Sequence, residues 1–175
     1  MAENLVAKDI VVCSIGYDLT PQVTLPTLIQ QVHTAFAEIL KHSHGSDVYI
    51  LGHSAGSHLV STILHSKQFE GGLKDVRGFF LISGLYDLRP ILECWPNYNV
   101  KMDMKVATDS SPLLNDFVCF SSDEKKRIQI VANYGENDTA SFKSQSKLYA
   151  TVSFDEEKKR IIFTLNLDVN SFEKK

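Results

Sequence analysis

The stretch Val48-Tyr49-Ile50-Leu51-Gly52-His53-Ser54-Ala55-Gly56 decides the fold of this chain. Its first four residues form an apolar run, which predicts a strand buried on both faces. The helical spacing of the apolar residues after Ser54 predicts a helix that begins at this serine and continues through Leu64. A serine between glycines in so tight a strand-to-helix turn is strained, and its hydroxyl is exposed at the edge of the sheet. We therefore predict that Ser54 is a nucleophile and that neither Gly52 nor Gly56 tolerates a Cβ.

The rest of the chain repeats this alternation of short apolar runs and amphipathic segments. Further strands are predicted at residues 10–15, 78–83, 128–132 and 160–165. Apolar residues with helical spacing predict helices over residues 24–41 and 142–152. Strands that alternate with crossover helices are typical of a mostly parallel sheet with helices on both faces. We predict an α/β fold in a single domain over residues 1–175, since this length fits one hydrophobic core.

Composition and charge argue against several classes of protein. The formal net charge is -3 and the pI is about 6.0, so no basic surface for nucleic acid or anionic lipid is expected. The early apolar run at residues 10–15 is far shorter than the roughly 18 residues of a membrane span. We expect a cytoplasmic protein whose three cysteines, Cys13, Cys94 and Cys119, are free thiols.

The turn at Ser54 also predicts the groups that would assist this serine. The Ala55 N–H lies at the start of a helix, where it can donate to an oxyanion and where the helix dipole favours negative charge. In hydrolases with this turn, an acid and then a histidine follow the serine along the chain. Asp138 follows the predicted strand at residues 128–132 and so lies at the same edge of the sheet as Ser54. Asp138 is the candidate acid, and an ordinary turn or helix-capping aspartate is the alternative.

A candidate base is missing, because all six histidines precede Asp138. They are His33, His42, His44, His53, His58 and His65. We expect the first three at the surface, the fourth fixed in the turn itself, and the last two along the helix that follows it. None has the loop freedom to reach both Ser54 and Asp138, so each is expected to be structural.

Two other features have less specific interpretations. The runs of mixed charge at residues 123–127 and 155–160 each precede or enter a predicted strand, and we predict that both are solvated loops. Trp95 and Tyr98 are candidates for lining an aromatic-accepting pocket, with a position in the surface or the core as the alternative.

Four blocks of the chain, in the same order, resemble the kynurenine formamidases (arylformamidases), a family with the α/β-hydrolase fold. The blocks are Ser14-Ile15-Gly16-Tyr17-Asp18-Leu19-Thr20-Pro21, Gly52-His53-Ser54-Ala55-Gly56-Ser57-His58-Leu59, Arg77-Gly78-Phe79-Phe80-Leu81-Ile82-Ser83-Gly84-Leu85-Tyr86-Asp87-Leu88-Arg89-Pro90-Ile91, and Ser110-Ser111-Pro112-Leu113. The resemblance implies hydrolysis of N-formyl-L-kynurenine to kynurenine and formate in tryptophan breakdown. It also implies Ser54 as nucleophile, Asp138 as triad acid, and Asp87 as a loop-holding residue outside the triad. We expect no cofactor and no metal.

The chain departs from this family in two places. Family members have a His-Gly-Gly loop before the strand at residues 10–15, whereas this sequence starts at Met1, after the point where that loop would end. They also have an Asp-His-Phe near the end, where this chain reads Asp168-Val169-Asn170-Ser171-Phe172, without a histidine. We therefore expect a fragment, splice variant or degenerate paralogue that lacks the N-terminal strands and has near-zero activity. The family's third strand lies between its fourth and fifth, so its absence leaves an open sheet edge that favours association, for example as a homodimer.

Three functions remain open at the level of sequence. The first is a formamidase, and the second is a broader carboxylesterase acting on aryl or short acyl esters, because the serine turn does not fix the leaving group. Either enzyme would act on a small molecule. The third is a non-catalytic protein that keeps the fold as a binding or regulatory module, which the missing histidine favours.

Overall fold

The computed structural model describes residues 2–117, 120–152 and 166–167. Its strands are β1 (Val48–His53), β2 (Val76–Ile82), β3 (Gln129–Gly135) and β4 (Asn166–Leu167). Its α-helices are α1 (Ala2–Val6), α2 (Leu25–His42), α3 (Ala55–Leu64), α4 (Asn97–Val100), α5 (Met104–Asp109), α6 (Ser122–Arg127) and α7 (Ala140–Val152). Short 3-10 helices lie at Lys67–Phe69, Arg89–Glu93 and Pro112–Leu114. The predicted strands that correspond to β1, β2 and β3 and the predicted helices that correspond to α2, α3 and α7 are confirmed.

The strands form a parallel sheet in the order β1-β2-β3-β4. The last residue of β1, His53, is level with Ile82 at the end of β2, and Ile82 is level with Asn133 of β3. The residues that follow these strands therefore meet along one edge of the sheet. Both Ser54 and the loop that contains Asp138 lie at this edge, as the sequence predicts.

The buried core lies against one face of this sheet. Ile50, Phe79 and Ile130 from the three longer strands pack with Phe36 of α2 and Tyr149 of α7. The alternating residues of β1 point the other way, and Tyr49 and Leu51 are 60% and 51% exposed. In the described part of the chain, helices thus cover one of the two faces of the sheet that the sequence predicts to be covered.

Helix α2 forms because its caps and its apolar stripe agree. The Thr24 hydroxyl accepts a hydrogen bond from Thr27 N at 3.3 Å, and Pro26 occupies the first turn, where its missing N–H costs nothing. Leu28 and Phe36 are among the residues that it buries. No helix in the described ranges, α2 included, is long and apolar enough to cross a membrane.

The expectation that His33 lies at the surface is wrong. His33 is buried on α2, its Nε2 lies 2.9 Å from the Thr62 hydroxyl, and its ring packs edge-on against Phe69. The apolar stripe of α2 is wider than the sequence indicates, because α3 packs beside it and covers the neighbouring row. Burial lowers the pKa of His33 to about 4, so the ring is neutral in the folded protein.

The strand predicted at residues 10–15 does not form. Residues 10–19 have no regular secondary structure, and Ile10 and Val11 are exposed. A β-branched run becomes a strand only where a neighbour supplies hydrogen bonds and packing, and this segment instead borders a groove of about 830 Å³ beside β1. Cys13 within it is an exposed free thiol, as is Cys94, whereas Cys119 lies outside the described residues.

The first charged run is also different from the prediction, since it forms helix α6 rather than a solvated loop. Ser121 and Glu124 form a capping box, in which the Ser121 hydroxyl accepts from Glu124 N and the Glu124 carboxylate accepts from Ser121 N. Glu124 is only 3% exposed and also accepts from Leu73 N at 2.9 Å. The second charged run and the strand predicted at residues 160–165 lie outside the described residues.

Candidate active site

The turn between β1 and α3 holds Ser54 in a strained backbone conformation. Its φ is 54° and its ψ is -118°, a region that non-glycine residues rarely occupy. Ser54 N donates to Ile82 O at 2.9 Å, which ties the strained residue to the end of β2. In the described residues the Ser54 hydroxyl makes no hydrogen bond, so it is available to a substrate and a base.

The two glycines of the turn have different roles. A Cβ at Gly52 would lie 2.3 Å from Gly56 O and 2.6 Å from Ser57 N, so the prediction for Gly52 is confirmed. A Cβ at Gly56 would meet nothing within 4 Å, so the prediction that Gly56 cannot carry one is wrong. The reason is the direction of approach: the start of α3 passes over Gly52, whereas Gly56 borders the open groove beside β1.

Ala55 begins α3, directly after the strained serine. The first amides of a helix lack intrahelical acceptors, so the Ala55 N–H remains free to donate to an oxyanion. The turn is held by Ser57, a residue that the sequence analysis missed. Its hydroxyl lies 2.7 Å from Gly52 O and 2.8 Å from Ile82 O, which joins α3 to the ends of both strands.

Asp138 is fixed at the end of β3 by two donors to one carboxylate oxygen. Its Oδ2 accepts from Gly135 N at 2.8 Å and from the Ser83 hydroxyl at 2.6 Å. Ser83 follows β2, is 6% exposed and has a φ of 50°. The sequence analysis missed Ser83 as well, although its position directly after a strand at the same edge was the available signal.

Ser54, Ser83 and Asp138 thus lie along three successive strand ends. The chain of backbone hydrogen bonds continues from Ser54 N to Ile82 O and from Ser83 N to Asn133 O at 2.8 Å. Adjacent strands are about 4.8 Å apart, so the ends of β1 and β3 are separated by about 10 Å. A serine at one end and a carboxylate at the other therefore need a bridging base to act together.

Comparison with known proteins identifies the fold family. A family model described as the alpha/beta hydrolase fold matches residues 2–152. The chain belongs to the α/β-hydrolase fold family. In that family a strained serine in the turn between a strand and a helix is the nucleophile, and the acid follows a later strand of the sheet.

Several relatives of this α/β-hydrolase are kynurenine formamidases. The protein of that name from Salmo salar is 35% identical over 151 residues, and the one from Danio rerio is 34% identical over 152 residues. The Drosophila melanogaster protein is 30% identical over 156 residues. Each alignment covers 85% of this chain and 51% of the relative, so the chain spans about half the length of the relatives it matches.

A solved structure shares the fold. The crystal structure of a proposed thioesterase from Silicibacter sp. tm1040 superposes with a TM-score of 0.68 at 24% sequence identity. The match covers 90% of this chain and 56% of that chain. This likeness supports the α/β-hydrolase architecture and says nothing further about the reaction.

The buried His58 and the half-buried His65 of this α/β-hydrolase are engaged away from Ser54 and Asp138. His58 is buried on α3 with its Nε2 2.7 Å from Ser110 O, and desolvation lowers its pKa. His65 lies between Asp116 O at 3.0 Å and the Tyr149 hydroxyl at 2.9 Å, and its burial lowers the pKa to about 4. Like His33, these rings are neutral packing elements.

The remaining histidines are not placed as bases either. His42 Nδ1 lies 2.8 Å from Glu38 O within its own helix, and His44 is in the loop after that helix. His53 is an exposed residue at the end of β1, on the turn itself. Since the structure describes all six histidines, none of the chain's own imidazoles hydrogen-bonds the Ser54 hydroxyl or the Asp138 carboxylate.

Asp87 holds a loop, in agreement with the expectation from the resemblance. Its carboxylate pairs with the Arg89 guanidinium at 2.8 Å, and this pairing lowers the pKa of Asp87. The loop is further fixed by Gln145, whose Oε1 accepts from Tyr86 N at 2.7 Å and from Asp87 N at 2.9 Å.

Other candidate groups lie outside the site. Trp95 and Tyr98 are both exposed, so the alternative of a surface position is the correct one for each. Among the described residues, no cluster of three or more His, Cys, Asp or Glu side chains could hold a metal ion.

Proposed function

We propose that this α/β-hydrolase carries the nucleophile and the acid of a serine hydrolase of the kynurenine formamidase type. The observation that supports it is the strained Ser54 at the end of β1, on the same side of the sheet as a fixed Asp138 at the end of β3. The names of the relatives support N-formyl-L-kynurenine as the substrate class, a small aryl formamide.

The proposed reaction follows from this geometry. Ser54 Oγ attacks the formyl carbon while a base, oriented by Asp138, accepts the hydroxyl proton. The oxyanion that forms is stabilised by the Ala55 N–H at the start of α3. The C–N bond then breaks, the base returns the proton to the leaving aryl amine, and water hydrolyses the formyl ester of Ser54 to formate.

The proton transfer is the step that this chain performs poorly by itself. None of its histidines contacts Ser54 or Asp138, and removing the base of a serine triad costs a factor on the order of a million in turnover. We expect near-zero hydrolysis of N-formylkynurenine by the 175-residue chain. Measured turnover that Ser54→Ala abolishes would contradict this expectation and would show that another group acts as base.

A fluorophosphonate probe tests the proposal without a natural substrate. We expect slow, stoichiometric labelling that maps to Ser54 and disappears in Ser54→Ala. Comparison of p-nitrophenyl acetate with N-formylkynurenine then tests the substrate class, because a broad carboxylesterase would favour the ester.

A non-catalytic binding module is the second candidate, and the engagement of the histidines elsewhere favours it. It predicts that Ser54 does not react with the probe at all. Labelling confined to Ser54 would exclude the binding module. A folded protein that is not labelled at all would support it.

A further inference from the structure

The Asp138 carboxylate is held asymmetrically. Oδ2 accepts two hydrogen bonds, from Gly135 N at 2.8 Å and from the Ser83 hydroxyl at 2.6 Å. In the described residues no hydrogen bond reaches Oδ1, although a carboxylate can accept about four. One oxygen is therefore fixed by the protein and the other remains available.

We propose that Ser83 is a positioning residue: its hydroxyl fixes Asp138 Oδ2 so that Oδ1 faces the N–H donor of the base. The inference rests on the proposed function and adds to it a residue that never touches the substrate. It also gives the two carboxylate oxygens separate roles, one structural and one toward the imidazole.

The backbone at Ser83 supports a specific need for its hydroxyl. A φ of 50° favours glycine, yet the chain has a serine here. Ser83 N donates to Asn133 O at 2.8 Å, so the residue lies between the ends of β2 and β3. The residue is 6% exposed, so water competes little for the Asp138 oxygen.

The chain contains a matched control at the opposite end of the strands, where β1 and β2 begin. Ser43 donates to Asp75 Oδ2 at 2.7 Å, a half-buried serine-to-aspartate bond of the same kind. Asp75 precedes β2, and Val48 N at the start of β1 donates to Asp75 O, so this pair lies far from Ser54.

The test supplies the missing base as free imidazole. Ser54 Oγ attacks the phosphorus of a fluorophosphonate, the P–O bond forms, the P–F bond breaks, and fluoride leaves while imidazole accepts the hydroxyl proton. Labelling rates are measured against imidazole concentration for the 175-residue chain and for Ser83→Gly, Ser83→Ala and Ser43→Ala.

We expect imidazole to accelerate labelling of the unmodified chain and of Ser43→Ala equally. Both Ser83 variants should lose about tenfold or more of the imidazole-dependent rate, because each lacks a charge-assisted hydrogen bond. Glycine relieves the positive φ and alanine does not, so equal losses would assign the effect to the hydroxyl rather than to backbone strain.

Two outcomes would overturn the inference. If imidazole accelerates labelling equally with and without the Ser83 hydroxyl, Ser83 does not position the acid, and the proposed function stands. If folded, unmodified chain is not labelled at any imidazole concentration, both the proposed function and the inference fail. Circular dichroism of each variant confirms that a lost rate is not lost fold.

Discussion

Replacing Gly52 by alanine should destabilise the protein far more than the same change at Gly56, although both glycines belong to the turn that contains Ser54. The added Cβ at position 52 would lie 2.3 Å from Gly56 O and 2.4 Å from the carbonyl carbon. Nonbonded heavy atoms prefer about 3.5–4.0 Å, and the atoms that must move are backbone atoms of α3 rather than the end of a flexible side chain.

The magnitude follows from this difference. Forcing extra volume into a packed region costs roughly 1–3 kcal/mol, and displacement of backbone places Gly52→Ala at about 3 kcal/mol. At Gly56 the Cβ meets nothing within 4 Å, and alanine in a helix is favoured over glycine by up to about 1 kcal/mol. For a chain of this size we expect a melting temperature about 6–12 °C lower for Gly52→Ala and unchanged or slightly higher for Gly56→Ala.

Thermal and urea unfolding of both variants and of the unmodified chain measures the effect. The urea slope should stay constant, so that shifts in the midpoint report stability. A Gly52→Ala protein as stable as the unmodified chain would refute the argument that α3 closes over this glycine. Equal destabilisation by both variants would show instead that the turn requires glycine at both positions.

The remaining predictions concern buried or half-buried ionisable side chains. The pKa values of His33 and His65 fall from 6.5 to about 4 on folding, so the stability that their neutral rings provide is complete above pH 6.5 and is lost as the pH falls toward 4. The urea midpoint should drop across this window, and His33→Leu should make the drop shallower; an unchanged slope would show that His33 does not titrate on unfolding. Glu124→Ala should cost about 2 kcal/mol in urea unfolding, because it leaves buried Leu73 N without its acceptor, whereas Asp123→Ala in the same turn of α6 should change stability by less than about 0.5 kcal/mol. Similar losses of unfolding free energy in both variants would show that the hydrogen bonds of the Glu124 carboxylate do not account for the effect.

Local sequence rules found the elements whose causes are local. The strand and helix around Ser54 follow from apolar spacing and turn chemistry within a few residues, and Asp138 follows from its place after a strand. The same rule could have placed Ser83 at these strand ends, but its pairing with Asp138 depends on the register between β2 and β3. His33 was misplaced for a related reason: the burial of its ring is decided by α3, which packs against it from a distant part of the chain.

The strand predicted at residues 10–15 failed because a strand is a property of a pair. Its sequence is richer in β-branched residues than that of β1, yet β1 pairs with β2, and residues 10–15 have no partner strand in the described structure. Glu124 was misread for the opposite reason, since the local signature was present. Ser121 and Glu124 have the spacing of a capping box, and the density of charge in that run concealed it.

Hydrogen bonds to the ends of the strands position the residues of the candidate site. Ser57 joins the carbonyls of Gly52 and Ile82, Ser54 N bonds to Ile82 O, and Ser83 joins the next strand end to Asp138. None of these contacts involves a base, so Ser54 and Asp138, the proposed nucleophile and acid, are held in place without one. The arrangement of Ser54 and Asp138 therefore does not depend on any of the six histidines, none of which hydrogen-bonds either side chain. Whether Ser54 reacts when an external base is supplied therefore distinguishes a serine that can still act as a nucleophile from one that only keeps the geometry of the turn.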